Sequence, residues 1–364
     1  MGRKGRRTRV VVAMSGGVDS AVAAAILARE GFDVIGITMR LWTLDDPAAP
    51  VGKRRCCSVE DTDDARRAAD AIGIPHYVLN MERAFRERVV DEFVAEYARG
   101  RTPNPCLACN EHVKFRALLD RALALEADYL ATGHYARIGR ASDGRYRLLR
   151  ALDDAKDQSY VLYPLGQAEL ARTWFPVGGY DKPAIRAIAR ELGLALAEKP
   201  DSADICFVPD GDYRAFVRQR VAAAPGEISA SDGRVLGRHD GVQGFTVGQR
   251  RGLGVATGSP MFVTSIDAAR GVVTVGAEED LYARRCTIER LHWVAGAAPA
   301  GVVACAVKVR YRTPPAAATV AERDGGEAAI EFAEPQRALT PGQAAVFYDG
   351  DEVLGGGVIN AVER

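Results

Sequence analysis

Six residues, Ser15-Gly16-Gly17-Val18-Asp19-Ser20, join an apolar β-branched run, Val10 to Ala13, to an alanine-rich stretch, Ser20 to Glu30, that reads as a helix ending near Gly31. A strand that turns at once into a helix through two glycines confines the start of the chain to α/β arrangements. The pattern then repeats. Asp33 to Leu41 reads as a strand, Val59 to Ile72 as a helix, His76 to Leu79 as a strand and Ala84 to Tyr97 as a helix. Asp128 to Ala131 adds a short strand that ends at Thr132-Gly133-His134. This alternation predicts a doubly wound parallel sheet between Arg9 and Thr132.

The 364 residues exceed what one hydrophobic core usually serves, so two or three domains are expected. Pro183 to Leu192 still reads as helical, but after Cys206 the chain changes to short runs separated by Gly, Asp and Pro. Val303 to Tyr311, Ala317 to Ala321, Ala328 to Phe332, Ala344 to Tyr348 and Glu352 to Ile359 recur as the strands of a small barrel would. The expected division is a catalytic domain over 1–207, a small central domain over 208–284 and a C-terminal β-barrel over 285–364.

An apolar fraction of 48% with 26% charged residues describes an ordinary globular chain, for which disorder is not the default. Lys plus Arg, 48, equals Asp plus Glu, 48, so any nucleic-acid surface must be a local patch. No apolar stretch approaches the roughly 18 residues a membrane span needs, and Val10 to Met14 is too short for a signal-peptide core. Seven cysteines without such a signal favour a reducing compartment, the cytoplasm, and reactive or metal-binding thiols.

Glycines after a strand let backbone N–H groups approach a phosphate, and the following helix N-terminus adds partial positive charge. The loop lacks the Lys of G-x-x-x-x-G-K-[ST], so it cannot grip phosphates as an ordinary P-loop does. Asp19 is suited to hold Mg2+ against the phosphates. The plainer reading makes Asp19 and Ser20 helix caps; the complete string at the end of a first strand favours the anion cradle. It resembles the pyrophosphate loop of the N-type ATP pyrophosphatases, which cleave ATP between the α and β phosphates.

Cys106-Leu107-Ala108-Cys109 follows Arg101-Thr102-Pro103-Asn104-Pro105 and precedes a helical pattern from Phe115 to Leu125, which places both thiols near a helix N-terminus. There, beside Arg101, His112 or Lys114, a thiol should ionise more readily. Cys206, far downstream in Lys199-Pro200-Asp201-Ser202-Ala203-Asp204-Ile205-Cys206-Phe207, can return to the same cleft and exchange sulfur with it. A zinc ribbon needs a second paired set, and Cys56-Cys57 has the wrong spacing. An iron–sulfur cluster of the 4Fe-4S type on Cys106, Cys109 and Cys206 is the stronger alternative. Cys286 and Cys305, in barrel-like strands, read as small buried hydrophobes.

Ser15 to Ser20, Cys56-Cys57-Ser58, Asn104-Pro105 with Cys109-Asn110 and Lys114-Phe115, Ala131 to Tyr135, Lys156-Asp157-Gln158-Ser159-Tyr160, Cys206-Phe207, Gly244 to Gly254 and Thr340-Pro341-Gly342-Gln343 occur in one order across nearly the whole chain. Together they resemble the bacterial tRNA-specific 2-thiouridylases. That resemblance implies an adenine nucleotide α-hydrolase-like sheet, a central domain and a C-terminal barrel acting on the wobble uridine of tRNAs for Lys, Glu and Gln. It implies that Cys109 is the nucleophile and that Cys206 carries a persulfide, charged by a sulfur-relay protein or cysteine desulfurase. It assigns ATP contacts to Ala13, Met14, Ser15, Gly16, Gly17, Val18, Asp19, Ser20, Met39 and Gly133. Asn104, Pro105 and Cys106 would approach the target base, and His134, Lys156, Asp157, Gln158, Arg310, Tyr311 and Gln343 would meet tRNA. One departure is Cys106, where many members carry an acidic residue; the third cysteine keeps the cluster reading open.

The chemistry expected is adenylation of the uridine C2 oxygen by ATP, followed by displacement of AMP by sulfur. His134 could instead act as a base, though a tRNA contact is the preferred reading. Gln249-Arg250-Arg251 and Lys308-Val309-Arg310-Tyr311-Arg312 combine charge and an aromatic as RNA surfaces do, and equally as solvated strands do. Two rivals stay open. An amidotransferase- or ligase-type pyrophosphatase would adenylate a small molecule without needing Cys109 or Cys206; an iron–sulfur RNA-binding protein would release no pyrophosphate.

Overall fold

The computed structural model describes residues 6–42, 59–200, 205–208, 211–222, 224–255 and 258–363. Cys56-Cys57-Ser58 and Asp201 to Asp204 lie outside them. The chain divides into two compact units. One comprises 1–89, 106–210 and 351–353; the other comprises 90–105, 211–350 and 354–364.

The first unit is built on a parallel sheet. Its strands are β1 (Arg9–Ala13), β2 (Asp33–Arg40), β3 (His76–Asn80), β4 (Tyr129–Thr132) and β7 (Thr173–Trp174), in the order β3-β2-β1-β4-β7. Val10, Val11 and Val12 of β1 are fully buried, as a strand covered on both faces requires. Helix α1 (Val18–Arg29) is buried along most of its length and packs with α2 (Val59–Ile72) against the sheet, sharing one core with Val10, Val12 and Ala65. Alanines at 21 and 23–25 let α1 approach β1 closely, because they add little side-chain bulk at the contact. The expected doubly wound parallel sheet is therefore present.

In this order β1 lies between β2 and β4, so the strand order reverses at β1. Ligands of open α/β sheets bind at such switch points, beyond the carboxyl ends of the strands. The Ser15–Ser20 loop leaves β1 there, and Thr132-Gly133-His134 leaves β4. A hairpin of β5 (Ala136–Arg140) and β6 (Tyr146–Arg150) follows; β6 also pairs with Glu352 and Val353.

Sequence and structure differ most in the Cys106–Cys109 region. Pro105–Ala108 is one α-helical turn, Cys109–Leu118 is π-helical, and Leu119–Ala124 returns to α-helix. The helix expected from Phe115 onward thus starts earlier, because Pro105 can begin a helix although it cannot sit inside one.

In the second unit, β8 (Gly226–Ala230), β9 (Val235–His239), β10 (Phe262–Asp267) and β11 (Val272–Gly276) form a sheet in the order β10-β11-β8-β9. Six antiparallel strands close a barrel: β12 (Tyr282–Trp293), β13 (Val303–Lys308), β14 (Ala316–Arg323), β15 (Glu327–Arg337), β16 (Ala344–Asp349) and β17 (Glu352–Glu363). Their order is β12-β15-β14-β13-β16-β17, and β17 pairs back to β12, which removes the open edges. Inward residues such as Ile288, Val320, Ile330 and Phe347 are at most 1% exposed and fill it. Cys286 of β12 is buried among them, and burial pushes its thiol up to about 12; Cys305 of β13 is half-buried. Among the described residues no helix is long and apolar enough to cross a membrane.

Candidate active site

The loop after β1 is held by its own groups. Ser20 Oγ donates to the Gly17 carbonyl at 3.1 Å and accepts from the Ser15 amide at 3.1 Å, while the Ala21 amide reaches the Gly17 carbonyl at 3.3 Å. Gly17 caps α1 without any side-chain acceptor. Among the described residues the N–H groups of Gly17, Val18 and Asp19 find no acceptor, so the first turn of α1 presents bare donors at its positive end. Gly16 has φ +72°, a conformation that glycine adopts without steric cost.

Gly133, at the end of β4, closes the other wall. A Cβ there would lie 2.6 Å from the Ser20 amide nitrogen and 2.8 Å from the Asp19 carbonyl carbon. Met39 is 8% exposed on β2, where Thr38 Oγ1 donates to the Met14 carbonyl at 2.8 Å and ties β2 to the base of the loop. Ala13 and Met14 complete the strand end, with the Met14 amide on the Ile37 carbonyl.

Asp19 is engaged by groups the sequence did not single out for it. Lys182 Nζ lies 2.8 and 2.9 Å from its two carboxylate oxygens, and the Tyr135 hydroxyl donates to it at 2.8 Å. Lys182 is 8% exposed, which a lysine tolerates only when paired. It begins the helix Lys182–Glu191, where a cation opposes the helix dipole; that misplacement was the available signal. Lys199 was missed as well: it bonds Asp61, Asp64 and the Gly16 carbonyl.

His134 is buried and neutral. Burial first, and the Lys114 ammonium second, hold its pKa well below the ordinary histidine value. Its Nδ1 lies 2.7 Å from Thr132 Oγ1 and its Nε2 3.4 Å from Lys114 Nζ. Since an ammonium only donates, Nε2 is the acceptor and Nδ1 carries the proton.

Cys106 is exposed and Cys109 buried on consecutive turns of the helical run, and Cys206 is half-buried. Asn110 is 2% exposed and donates to the Val161 carbonyl at 3.0 Å, fixing the turn that carries Cys109. Among the described residues no group of three or more Cys, His, Asp or Glu side chains is placed to hold a metal ion, so Cys106, Cys109 and Cys206 do not form a ligand set here. A Mg2+ ion is a different case. It needs one carboxylate and phosphate oxygens more than a protein cage, and the carboxylate at the loop, Asp19, is here paired with Lys182 and Tyr135.

The residues expected to meet tRNA are in varied settings. Asp157 is 5% exposed and accepts from the Ala151 and Ser159 amides and the Ser159 hydroxyl. Gln158 accepts from the Tyr135 amide at 2.9 Å, and Lys156 is half-buried beside it. In the second unit Asn104 is partly exposed, while Pro105, the last residue of that segment, is buried. Gln343 Nε2 donates to the Thr102 carbonyl at 2.7 Å, and Gly342 lies so close that a Cβ would meet the Thr102 amide nitrogen at 2.8 Å. Arg101 bridges Glu96 at 2.7 Å and Glu289 at 2.6 Å, so its charge is spent within this unit. Arg310 bonds the Ala338 carbonyl and Thr340, and Tyr311 is exposed. Arg250 and Arg251 are exposed on a turn that Gln249 closes through the Thr246 amide and the Arg251 carbonyl. Arg214, which the sequence did not flag, lies over that turn: a Cβ at Gly252 would be 3.6 Å from its guanidinium.

Comparison with known proteins covers nearly the whole chain. Residues 8–210 match the tRNA methyl transferase HUP domain, 214–277 the tRNA methyl transferase PRC-barrel domain and 283–359 the aminomethyltransferase beta-barrel domain. The chain is 52% identical to the tRNA-specific 2-thiouridylase MnmA of Geobacter metallireducens, over 98% of this chain and 97% of that protein. It is 48% identical to the protein of the same name from Pelotomaculum thermopropionicum, over 98% of each. For that of Solibacter usitatus the identity is 51%, over 96% of this chain and 98% of the relative.

Proposed function

The chain belongs to the tRNA-specific 2-thiouridylase family, and from that premise we propose how its residues divide the work of making 2-thiouridine in tRNA. It is a sulfurtransferase acting on tRNA and using ATP. The finer reading is that ATP activates the C2 carbonyl of the wobble uridine and a cysteine persulfide replaces the oxygen. The observation that carries it is the bare first turn of α1 at the sheet's switch point, in the unit that also holds Cys109 and Cys206.

In this scheme the amides of Gly17, Val18 and Asp19 receive the β and γ phosphates of ATP, with Ala13 to Ser20, Met39 and Gly133 around the nucleotide. Asp19 would hold Mg2+, which when bound offsets phosphate charge. Oxygen-directed attack of the base on the α phosphorus forms the O–P bond and releases pyrophosphate. The terminal sulfur of the Cys206 persulfide then bonds to C2 as the C–O bond to AMP breaks. Attack of the Cys109 thiolate on Cys206 Sγ frees the 2-thio carbonyl and leaves a Cys109–Cys206 disulfide, which a thiol reductant reopens with two electrons. Neutral His134 meets RNA and does not take a proton, because its acceptor nitrogen is occupied by Lys114.

Asn104, Pro105 and Cys106 approach a base splayed out of the anticodon loop, as RNA enzymes require. Lys156, Asp157, Gln158, Arg310, Tyr311 and Gln343 contact or shape the tRNA path, the substrates being tRNAs for Lys, Glu and Gln. The working parts are 1–207, 208–284 and 285–364, in the cytoplasm, with a sulfur-relay protein or desulfurase as donor.

The deciding experiment is an anaerobic assay with Mg·ATP, excess transcript tRNA, a persulfide donor and a thiol reductant, reading pyrophosphate and thiolated nucleoside together through the first and later turnovers. Wild-type protein without an iron–sulfur cluster is expected to make both in step; Cys206→Ala and Cys109→Ala are expected to release pyrophosphate and make no multiple turnovers of product. Sustained turnover by Cys206→Ala, or product only from cluster-reconstituted protein, overturns the relay.

A further inference from the structure

Three groups converge on one ammonium beside the loop. Lys199 Nζ donates to the Gly16 carbonyl at 2.9 Å, to Asp61 Oδ1 at 2.7 Å and to Asp64 Oδ2 at 2.6 Å. The two carboxylates come from α2, three residues apart and so on one helix face. The same helix end presses on the loop: a Cβ on Gly16 would lie 2.2 Å from the Asp61 carbonyl oxygen. The three side chains are largely shielded, at 23%, 13% and 24% exposure for Lys199, Asp61 and Asp64.

An anion cradle works only if its N–H groups face the anion and its carbonyls face away. In a trans peptide the carbonyl and the following N–H point in opposite directions, and among the described residues no peptide bond is cis. A cation fixed on the Gly16 carbonyl therefore turns the Gly17 N–H to the opposite side, the side of the bare α1 donors. The glycine pair is otherwise free to flip this peptide, which would put a carbonyl dipole where phosphate must sit. The Gly17 carbonyl needs no such cation because Ser20 Oγ and the Ala21 amide already hold it.

We propose that Lys199 is a positioning residue for the nucleotide, holding the Gly16–Gly17 peptide in the one orientation that receives the ATP phosphates, with Asp61 and Asp64 anchoring its ammonium. The proposal rests on the reading of this loop as the ATP site. Lys199 acts on the pyrophosphate end through a backbone carbonyl, which sets it apart from the phosphate-gripping lysine that the loop lacks.

The test is calorimetric binding of Mg·ATP and of AMP to the full-length wild type, to Lys199→Met, and to the triple variant Asp61→Asn/Asp64→Asn/Lys199→Met, in which all three charges are removed. AMP lacks the β and γ phosphates, so it serves as the internal control. ATP affinity is expected to fall about tenfold or more in both variants, the scale of one charge-assisted hydrogen bond, with AMP affinity unchanged. The triple variant keeps the measurement decisive if the single variant is unstable, because it leaves no unpaired carboxylates. Recovery of ATP affinity in the triple variant overturns the proposal, as does a parallel loss of ATP and AMP binding. A wild type that binds neither nucleotide overturns the ATP reading of the loop itself.

Discussion

At the scale of single residues, the site depends on charges whose partners lie far apart in sequence. His134 is neutral because it is buried and faces Lys114, and this has a consequence for stability. Its folded pKa is depressed below the unfolded value of about 6.5, so folding favours the unprotonated ring. The unfolded chain binds a proton more readily than the native one, and stability from this site is complete above that value and lost as pH falls below it. Asp64 loses stability on the same side: pairing with Lys199 and Arg67 outweighs its burial and lowers its pKa, but its loss begins only in the carboxylate range. Thermal or urea midpoints of wild type and His134→Gln, taken from pH 7.5 to 5.5, should converge as pH falls, since the variant has no ring to protonate. Parallel curves would show that His134 titrates normally. The sequence marked His134 through its motif, yet Lys114, Lys182 and Lys199 acquire roles only by meeting Thr132–His134, Asp19 and Gly16, and no local pattern encodes those meetings.

At the scale of elements, the alternation of strand and helix was legible to within a residue or two. Val59–Ile72 matches its expected bounds, and β2, β3 and β4 differ from theirs only at the ends. The π-helical stretch Cys109–Leu118 was not legible. Its buried positions, Cys109, Asn110, Val113, Phe115 and Leu118, satisfy an ordinary helical spacing closely enough to conceal the wider turn. The β5–β6 hairpin was also unmarked, because its charged, half-exposed strands carry little apolar alternation. Where strand and helix meet most closely, at Gly133, the geometry makes a sharp prediction. Gly133→Ala places a methyl within contact of backbone atoms of Asp19 and Ser20 that cannot rotate aside. The expected result is destabilisation of about 1–3 kcal/mol, the usual scale of overpacking, together with weaker ATP binding. Gly179→Ala, at a position with nothing within 4 Å, is the control and should leave both unchanged. Equal melting temperatures and nucleotide affinities for the two variants would remove Gly133 from the wall of the site.

At the scale of the whole molecule, the change of texture after Cys206 falls near the junction of the two compact units at 210/211, whereas the joining of 90–105 to the second unit has no sequence signal. Amphipathic spacing says which face of Asp91–Ala98 is buried but not against which part of the chain; Phe93 and Tyr97 in fact pack with Phe216 and Tyr213. Net neutrality likewise conceals local charge. Arg101, Arg137, Arg147 and Arg290 are paired with carboxylates, so they contribute little to an outward field. Arg250 and Arg251 are exposed, and among the described residues neither has a carboxylate partner. If they hold tRNA phosphates, binding must weaken as salt rises, since each phosphate neutralised releases counterions. The logarithm of tRNA affinity against the logarithm of salt should be a falling line for wild type. Replacing Arg250 and Arg251 by Ala should flatten its slope by about one per lost contact, and weaken binding alike for every tRNA. Should the slope persist while thiolation falls, the two arginines act at a step after binding, and the phosphate-holding charge must be sought among other cations such as Arg214 over the same turn and Arg218 beside Gly244.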